Sequence, residues 1–294
     1  MRRGRIGPGA ARLAAALLCA LPALSLSLST LPARADEARQ APPARVVSIN
    51  LCTDQLAMLL AAEGQLHSVS HIATDPRMSP MVEEARRYRP NHGRAEEIYL
   101  MRPDLVLAGP YTSPATTALL ERLGIPVAII PAASRLEDVR RGLLRMGEAL
   151  HREEAAEAAV AGFDARLAAL PELVETRPRA VIYQANGYTT GDETLAGQIL
   201  LSAGFANAAA EAGYGAGSKL PLEVLALLAP ELVITARPYP GGSRAEAVQA
   251  HPVVRAFRPQ GVVAAGSDAD WICGTPYVLR AIDRLAEARR ALAP

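Results

Sequence analysis

Lysine is almost absent from the 294-residue chain: Lys219 is the only one, aromatic residues make up 4%, and Trp271 is the single tryptophan. Cysteine is scarce as well, with three residues in all. No pair has C-x-x-C or H-x-x-H spacing, so any metal site would have to be assembled from distant loops. H-E-x-x-H, G-x-S-x-G and a Walker loop are all missing, which removes the motif-bearing evidence for metalloprotease, α/β-hydrolase and P-loop chemistry. The stretch "GYGAGS" from Gly213 neither follows a strand nor opens a helix, so it fails as a dinucleotide loop. Formal net charge is +1, and five of the 31 basic residues lie in the first 35 positions. No basic stripe survives their removal, which excludes a nucleic-acid partner. An enzyme is not expected; a secreted one would need a nucleophile and base that no motif identifies.

What the chain does have begins at its N-terminus. Arg2, Arg3, Arg5 and Arg12 stand without an acid, "LAAALLCALPALSLSLSTL" follows, and "ARA" closes at Ala35. This reads as a secretory signal peptide over 1–35, followed by an exported, periplasmic protein. Cys19 follows Leu17 and Leu18, without the small residue that lipoprotein acylation needs. Two cysteines remain, Cys52 and Cys273. An even count in an oxidising compartment permits one disulfide, with two free thiols as the alternative.

From Arg45 onward, short β-branched runs such as "RVVSIN", "DLVLAG" and "IPVAII" alternate with helical apolar spacing, which predicts a parallel, helix-covered sheet. Residues 136–173 carry only helical signal. Alternation resumes with "AVIYQ", "ELVITA" and "GVVAAG" and ends in a final helix through Arg290. The expected architecture is α/β: two Rossmann-like lobes over 36–150 and 177–294, joined by a long helix over 151–176. The strand exits hold the polar candidates of the cleft: Asn50, Cys52, Thr53, His71, Asp75, His92 and Tyr111 on the first lobe, and Tyr188, Arg237, Tyr239, Asp270 and Trp271 on the second.

One unit occurs twice. "EEIYLMRPDLV" from Glu96 and "EVLALLAPELV" from Glu223 each place a glutamate seven residues before a proline, then an acid, then Leu-Val. Two α/β lobes, a glutamate heading the x-P-D/E-L-V unit in each, and a D-W loop before the last helix resemble the periplasmic substrate-binding proteins of ABC importers for cobalamin and ferric siderophores. The resemblance implies a monomeric carrier with no intrinsic cofactor, which takes a metal chelate, cobalamin or ferric siderophore, to an ABC permease. It implies that Glu96 and Glu223 dock into arginine pockets on the two permease subunits. By position it also implies ligand contacts at the Tyr188 loop, at Tyr214 and at Asp270-Trp271. A metal site from Cys52, His71, His92 and Cys273, of the kind that would carry free zinc or manganese, is the alternative within the binding class.

Overall fold

The computed structural model describes residues 41–170, 174–237, 240–257 and 268–292. The expected signal peptide, the "GVVAAG" strand and Tyr239 lie outside them. Residues 42–294 form one compact unit. Its first sheet comprises β1 (Val46–Ser48), β2 (Leu66–Ser70), β3 (Arg89–Asn91), β4 (Leu105–Ala108) and β5 (Val127–Ile129), in the order β3-β2-β1-β4-β5 with every pair parallel. The second comprises β6 (Arg179–Ile182), β7 (Ala206–Asn207) and β8 (Leu232–Ile234), in the order β7-β6-β8, again parallel. The central strands bury apolar residues on both faces, Val46 and Val47 in β1, Val106 and Leu107 in β4, and Val181 and Ile182 in β6, as a doubly covered parallel sheet requires.

Eight helices of six residues or more cover these sheets among the described residues: α1 (Leu51–Leu60), α2 (Ala95–Leu100), α3 (Pro114–Arg122), α4 (Glu137–Leu150), α5 (Glu153–Ala168), α6 (Leu195–Ser202), α7 (Leu222–Leu228) and α8 (Val278–Leu292). The two faces of each sheet enter different cores, because successive strand residues point opposite ways. Val46 and Leu107 of the first sheet and Ile182 and Leu232 of the second share one continuous core with α1, α4, α5, α6 and α8. Val47 and Val106 face α2 in a separate core, and Val181 and Val233 face α7 in a third.

The long helical connection consists of two helices folded back on each other. The chain reverses at His151, which is left-handed at φ 55°, and the Arg152 N–H donates to the Gly147 carbonyl at 2.7 Å. Gly147 permits the close approach, since a Cβ there would lie 2.4 Å from the Ala156 Cβ. Farther along the same antiparallel pair, Arg140 and Asp164 join at 2.5 Å. Among the described residues no helix is long and apolar enough to cross a membrane.

The repeated unit is a repeat in atomic detail. Ile98 and Leu225 are fully buried anchors under their sheets. Each helix ends in a left-handed residue, Arg102 at φ 51° or Ala229 at φ 42°, and the following proline has no N–H with which to continue it. The acid after each proline starts a strand pair. Asp104 accepts from the Arg45 N–H at 2.9 Å and Glu231 from the Arg179 N–H. The side chains of the same two arginines then cap the helix ends, Arg45 donating to the Met101 carbonyl at 2.6 Å and Arg179 to the Leu228 carbonyl at 2.7 Å.

Candidate functional site

Because all strands of each sheet run the same way, all of their exits fall on one edge, where open α/β sheets hold ligands. On the first sheet that edge rests on a buried polar layer. Asn50 caps α1 by accepting from the Cys52 N–H at 3.0 Å. Asn91 donates to the Ser48 carbonyl and to the Ser68 hydroxyl, each at 2.8 Å. Asp54 lies fully buried and accepts from the Ser70 N–H and hydroxyl. Burial pushes its carboxyl up to about 7, against the opposing pull of the Ser48 and Ser70 bonds. Reading the sequence around α1 picked out Thr53 and passed over Asp54, whose helical position gives no signal of this pin between α1 and β2.

Above that layer stand His71 and His92, the residues that follow β2 and β3. These strands are neighbours in the sheet, so the two imidazoles stack with centroids 4.7 Å apart and an interplanar angle of 26°. His71 Nδ1 lies 3.3 Å from the Asn91 carbonyl oxygen, which can only accept, so that nitrogen carries the proton. His92 Nδ1 faces the Glu97 carboxylate at 3.6 Å. Both Nε2 atoms are left without a partner among the described residues. This is how an imidazole is held when its other nitrogen is to meet a metal. Tyr111, after β4, is the most exposed large apolar side chain on the same edge. Asp75 lies further out and closes its own turn by accepting from the Arg77 N–H at 2.9 Å.

On the second sheet, Tyr188 follows β6 and lies half exposed under the Lys219 ammonium, 5.3 Å from its ring centroid. Tyr214 packs partly into the core beneath α7. Arg237 leaves β8 and lines a cavity of about 780 Å³ together with Arg244, Arg255 and Gln249. The three guanidiniums have no ion-pair partner among the described residues, and the buried Gln249 amide nitrogen has no hydrogen-bond partner. Glu246 also lines the cavity, its carboxylate accepting from the Ser243 hydroxyl at 2.9 Å, and three arginines against one glutamate leave a lining suited to carboxylates or other anions.

Four expectations need correction. Trp271 is only 7% exposed and belongs to the largest core, so it offers no wall to a ligand. Trp271→Ala is therefore expected to cost about 3 kcal/mol of stability, read as an earlier melting transition, with ligand affinity unchanged in the protein that remains folded. Asp270 is 1% exposed and is held by the half-exposed Arg280 and Arg284; desolvation raises its carboxyl and the two arginines oppose the rise. Thr53 is buried, its hydroxyl bonded to Ser48 at 2.7 Å and donating to the Asn50 carbonyl at 2.9 Å. Cys52 and Cys273 form the disulfide their even count permits, with Cα atoms 5.1 Å apart, which overturns only the alternative, since neither can then serve as a thiolate in the four-residue metal site. Among the described residues no three His, Cys, Asp or Glu side chains converge on one point.

The profile of a family described as "Periplasmic binding protein" matches residues 46–268. Among curated proteins nothing matches. Solved structures share the fold. The periplasmic heme-binding protein RhuT from Roseiflexus sp. RS-1, in apo form, superposes with a TM-score of 0.68 at 22% identity over 85% of this chain and 99% of that one. The periplasmic heme-binding protein HutB of Vibrio cholerae gives 0.69 at 20% identity over 85% and 99%. The periplasmic vitamin B12-binding protein BtuF of Vibrio cholerae gives 0.61 at 17% identity over 85% and 98%.

Proposed function

The chain belongs to the periplasmic binding protein family, a family of binding proteins rather than enzymes, and from that premise we propose that it captures a metal chelate and hands it to an ABC permease. Haem is the first choice of chelate, ahead of cobalamin or a ferric siderophore. The observation that carries this is the stacked His71 and His92 pair, each with Nδ1 engaged and Nε2 open. Haem iron takes imidazole as an axial ligand; stacked side by side at 4.7 Å, the two rings cannot take opposite faces of one haem, so one Nε2 would ligate the iron and the other imidazole would pack beside it. The flat ring suits Tyr111 and Tyr188, and its two carboxylates suit Arg237, Arg244 and Arg255 at the edge of the second sheet. Two of the similar solved structures, RhuT and HutB, are periplasmic heme-binding proteins, which supports the same choice.

Residues 1–35 direct export to the periplasm in this reading, the sheets of 46–129 and 179–234 are the cores of two lobes, and the carrier works as a monomer. Glu96 and Glu223, both exposed in the first turns of α2 and α7, are the residues that dock on the permease. The ligand reading is tested by titrating the mature protein with hemin and following its absorption spectrum. Saturable binding with a ligand-shifted spectrum is expected, and His71→Ala/His92→Ala should weaken it by at least about tenfold and alter the spectrum. A wild-type spectrum in the double variant rejects the imidazoles as ligands. Indifference to hemin, with a rise in melting temperature on adding cyanocobalamin or a ferric siderophore, moves the choice of chelate instead.

A further inference from the structure

In the two copies of the repeated unit almost every position has a task inside the molecule. Ile98 and Leu225 anchor the helices, Arg102 and Ala229 end them, Asp104 and Glu231 start strand pairs, and Arg45 and Arg179 cap the helix carbonyls. Three positions have none. One is the glutamate already assigned to docking, and another is the exposed Tyr99 or Ala226. The third lies four residues after the glutamate: Leu100 is 78% exposed and Leu227 is 85% exposed. The intervening exposed positions differ between the copies, Tyr99 against Ala226, whereas leucine stands at this one in both. A single solvated leucine is ordinary on a protein surface. Here the same residue stands on both sheets at the same offset from an exposed acid, and in neither copy is it packed into a core.

Positions i and i+4 share a helix face about 6 Å apart along the axis, so each sheet carries an identical pair of one carboxylate and one apolar knob. A duplicated feature of this kind matches a partner that itself presents two equivalent surfaces, as a dimer of like subunits does. We propose that Leu100 and Leu227 are paired apolar anchors that seat the protein on the two permease subunits. Each enters an apolar pocket one helical turn from the arginine site that receives Glu96 or Glu223. The proposal rests on the docking reading given above and adds a salt-independent component to it. Glutamate supplies attraction that ionic strength screens, while burial of leucine supplies affinity that salt does not remove.

The test uses right-side-out inner-membrane vesicles from the bacterium that makes the protein and radiolabelled mature protein, with saturable binding measured at about 0.05 and 0.5 M salt. Leu100→Ser/Leu227→Ser should keep the wild-type melting temperature and hemin titration and bind at least about tenfold more weakly at both salts. Glu96→Ala/Glu223→Ala should lose affinity chiefly at low salt. Wild-type binding by the leucine variant alongside failure of the glutamate variant overturns the anchors and leaves docking by glutamate intact. Wild-type binding by both variants overturns the docking reading and the anchors with it. A wild-type dimer in sedimentation that the leucine variant abolishes assigns the leucines to self-association and overturns the proposal.

Discussion

Replacing Glu96 and Glu223 together with alanine is expected to abolish uptake while leaving ligand affinity and melting temperature where they were. Both side chains are exposed in the first turns of short helices, and neither takes part in an ion pair or hydrogen bond among the described residues. Removing them therefore withdraws only a favourable placement near a helix N-terminus, worth about 0.3–1 kcal/mol each at most. The loss on docking is much larger, since an arginine desolvated against the carrier would be left without its carboxylate. Single variants should retain part of the transport, and reversal to arginine should be worse than alanine because like charges then face each other. Uptake into vesicles reconstituted with the permease, measured beside ligand affinity and melting temperature on the same preparations, decides the matter. Normal uptake by the double variant would falsify the docking assignment, and a marked fall in melting temperature would make the glutamates structural.

Cys52→Ser/Cys273→Ser is expected to produce the largest loss of stability of any substitution considered for this protein. The bridge joins α1 to the segment ahead of α8 across 221 positions of sequence. Closing so long a loop in the unfolded chain removes entropy worth up to ~5 kcal/mol, and native bridges of this kind contribute about 2–5 kcal/mol in practice. The same junction has other ties that persist without the bridge. The Thr275 hydroxyl donates to Gln55 at 3.2 Å, and a Cβ at Gly274 would fall 1.9 Å from the Ala133 Cβ. The folded state should thus keep its form and lose its margin. Urea unfolding of the oxidised protein, the reduced protein and the serine variant should show the last two with a matching, lower midpoint. Coincident midpoints for all three would mean that the bridge constrains nothing the rest of the chain does not already hold.

Some of this organisation is legible in the residues because it rests on local rules. Alternation of β-branched runs with helical spacing announces parallel sheets covered by helices, and the glutamate-to-proline unit announces itself twice because each copy must end a helix and start a strand within a few residues. The acid after each proline is readable as part of the pattern, but its task is not. That Asp104 and Glu231 receive the N–H of Arg45 and Arg179 depends on residues 52 or more positions away in sequence. The helical stretch after Leu136 reads as helix at every position, yet its reversal at His151 depends on Gly147 allowing Ala156 to approach. The site was legible to the same extent. Strand direction alone puts His71, His92, Tyr111, Tyr188 and Arg237 in loops at the exits of their sheets, where the candidate site is drawn. Position in a polar loop misled at Asp270 and Trp271, where polar neighbours in sequence say nothing about the arginines of α8 and the core that enclose them.

By itself, then, the sequence determined the α/β class, the duplication and the set of strand exits from which a site would be drawn, because those follow from periodicity and chain direction over a few residues. Only the tertiary structure decided which of those residues meet. It paired His71 with His92 because β2 and β3 are neighbours in the sheet, and joined Cys52 to Cys273 across nearly the whole chain. It sank Thr53, Asp270 and Trp271 into the interior. It also left Leu100 and Leu227 in solvent, though each sits in a helix anchored in a core by Ile98 or Leu225. The reason is the same in each case: a side chain's exposure and partners are set by segments distant in sequence, and local pattern carries no record of them.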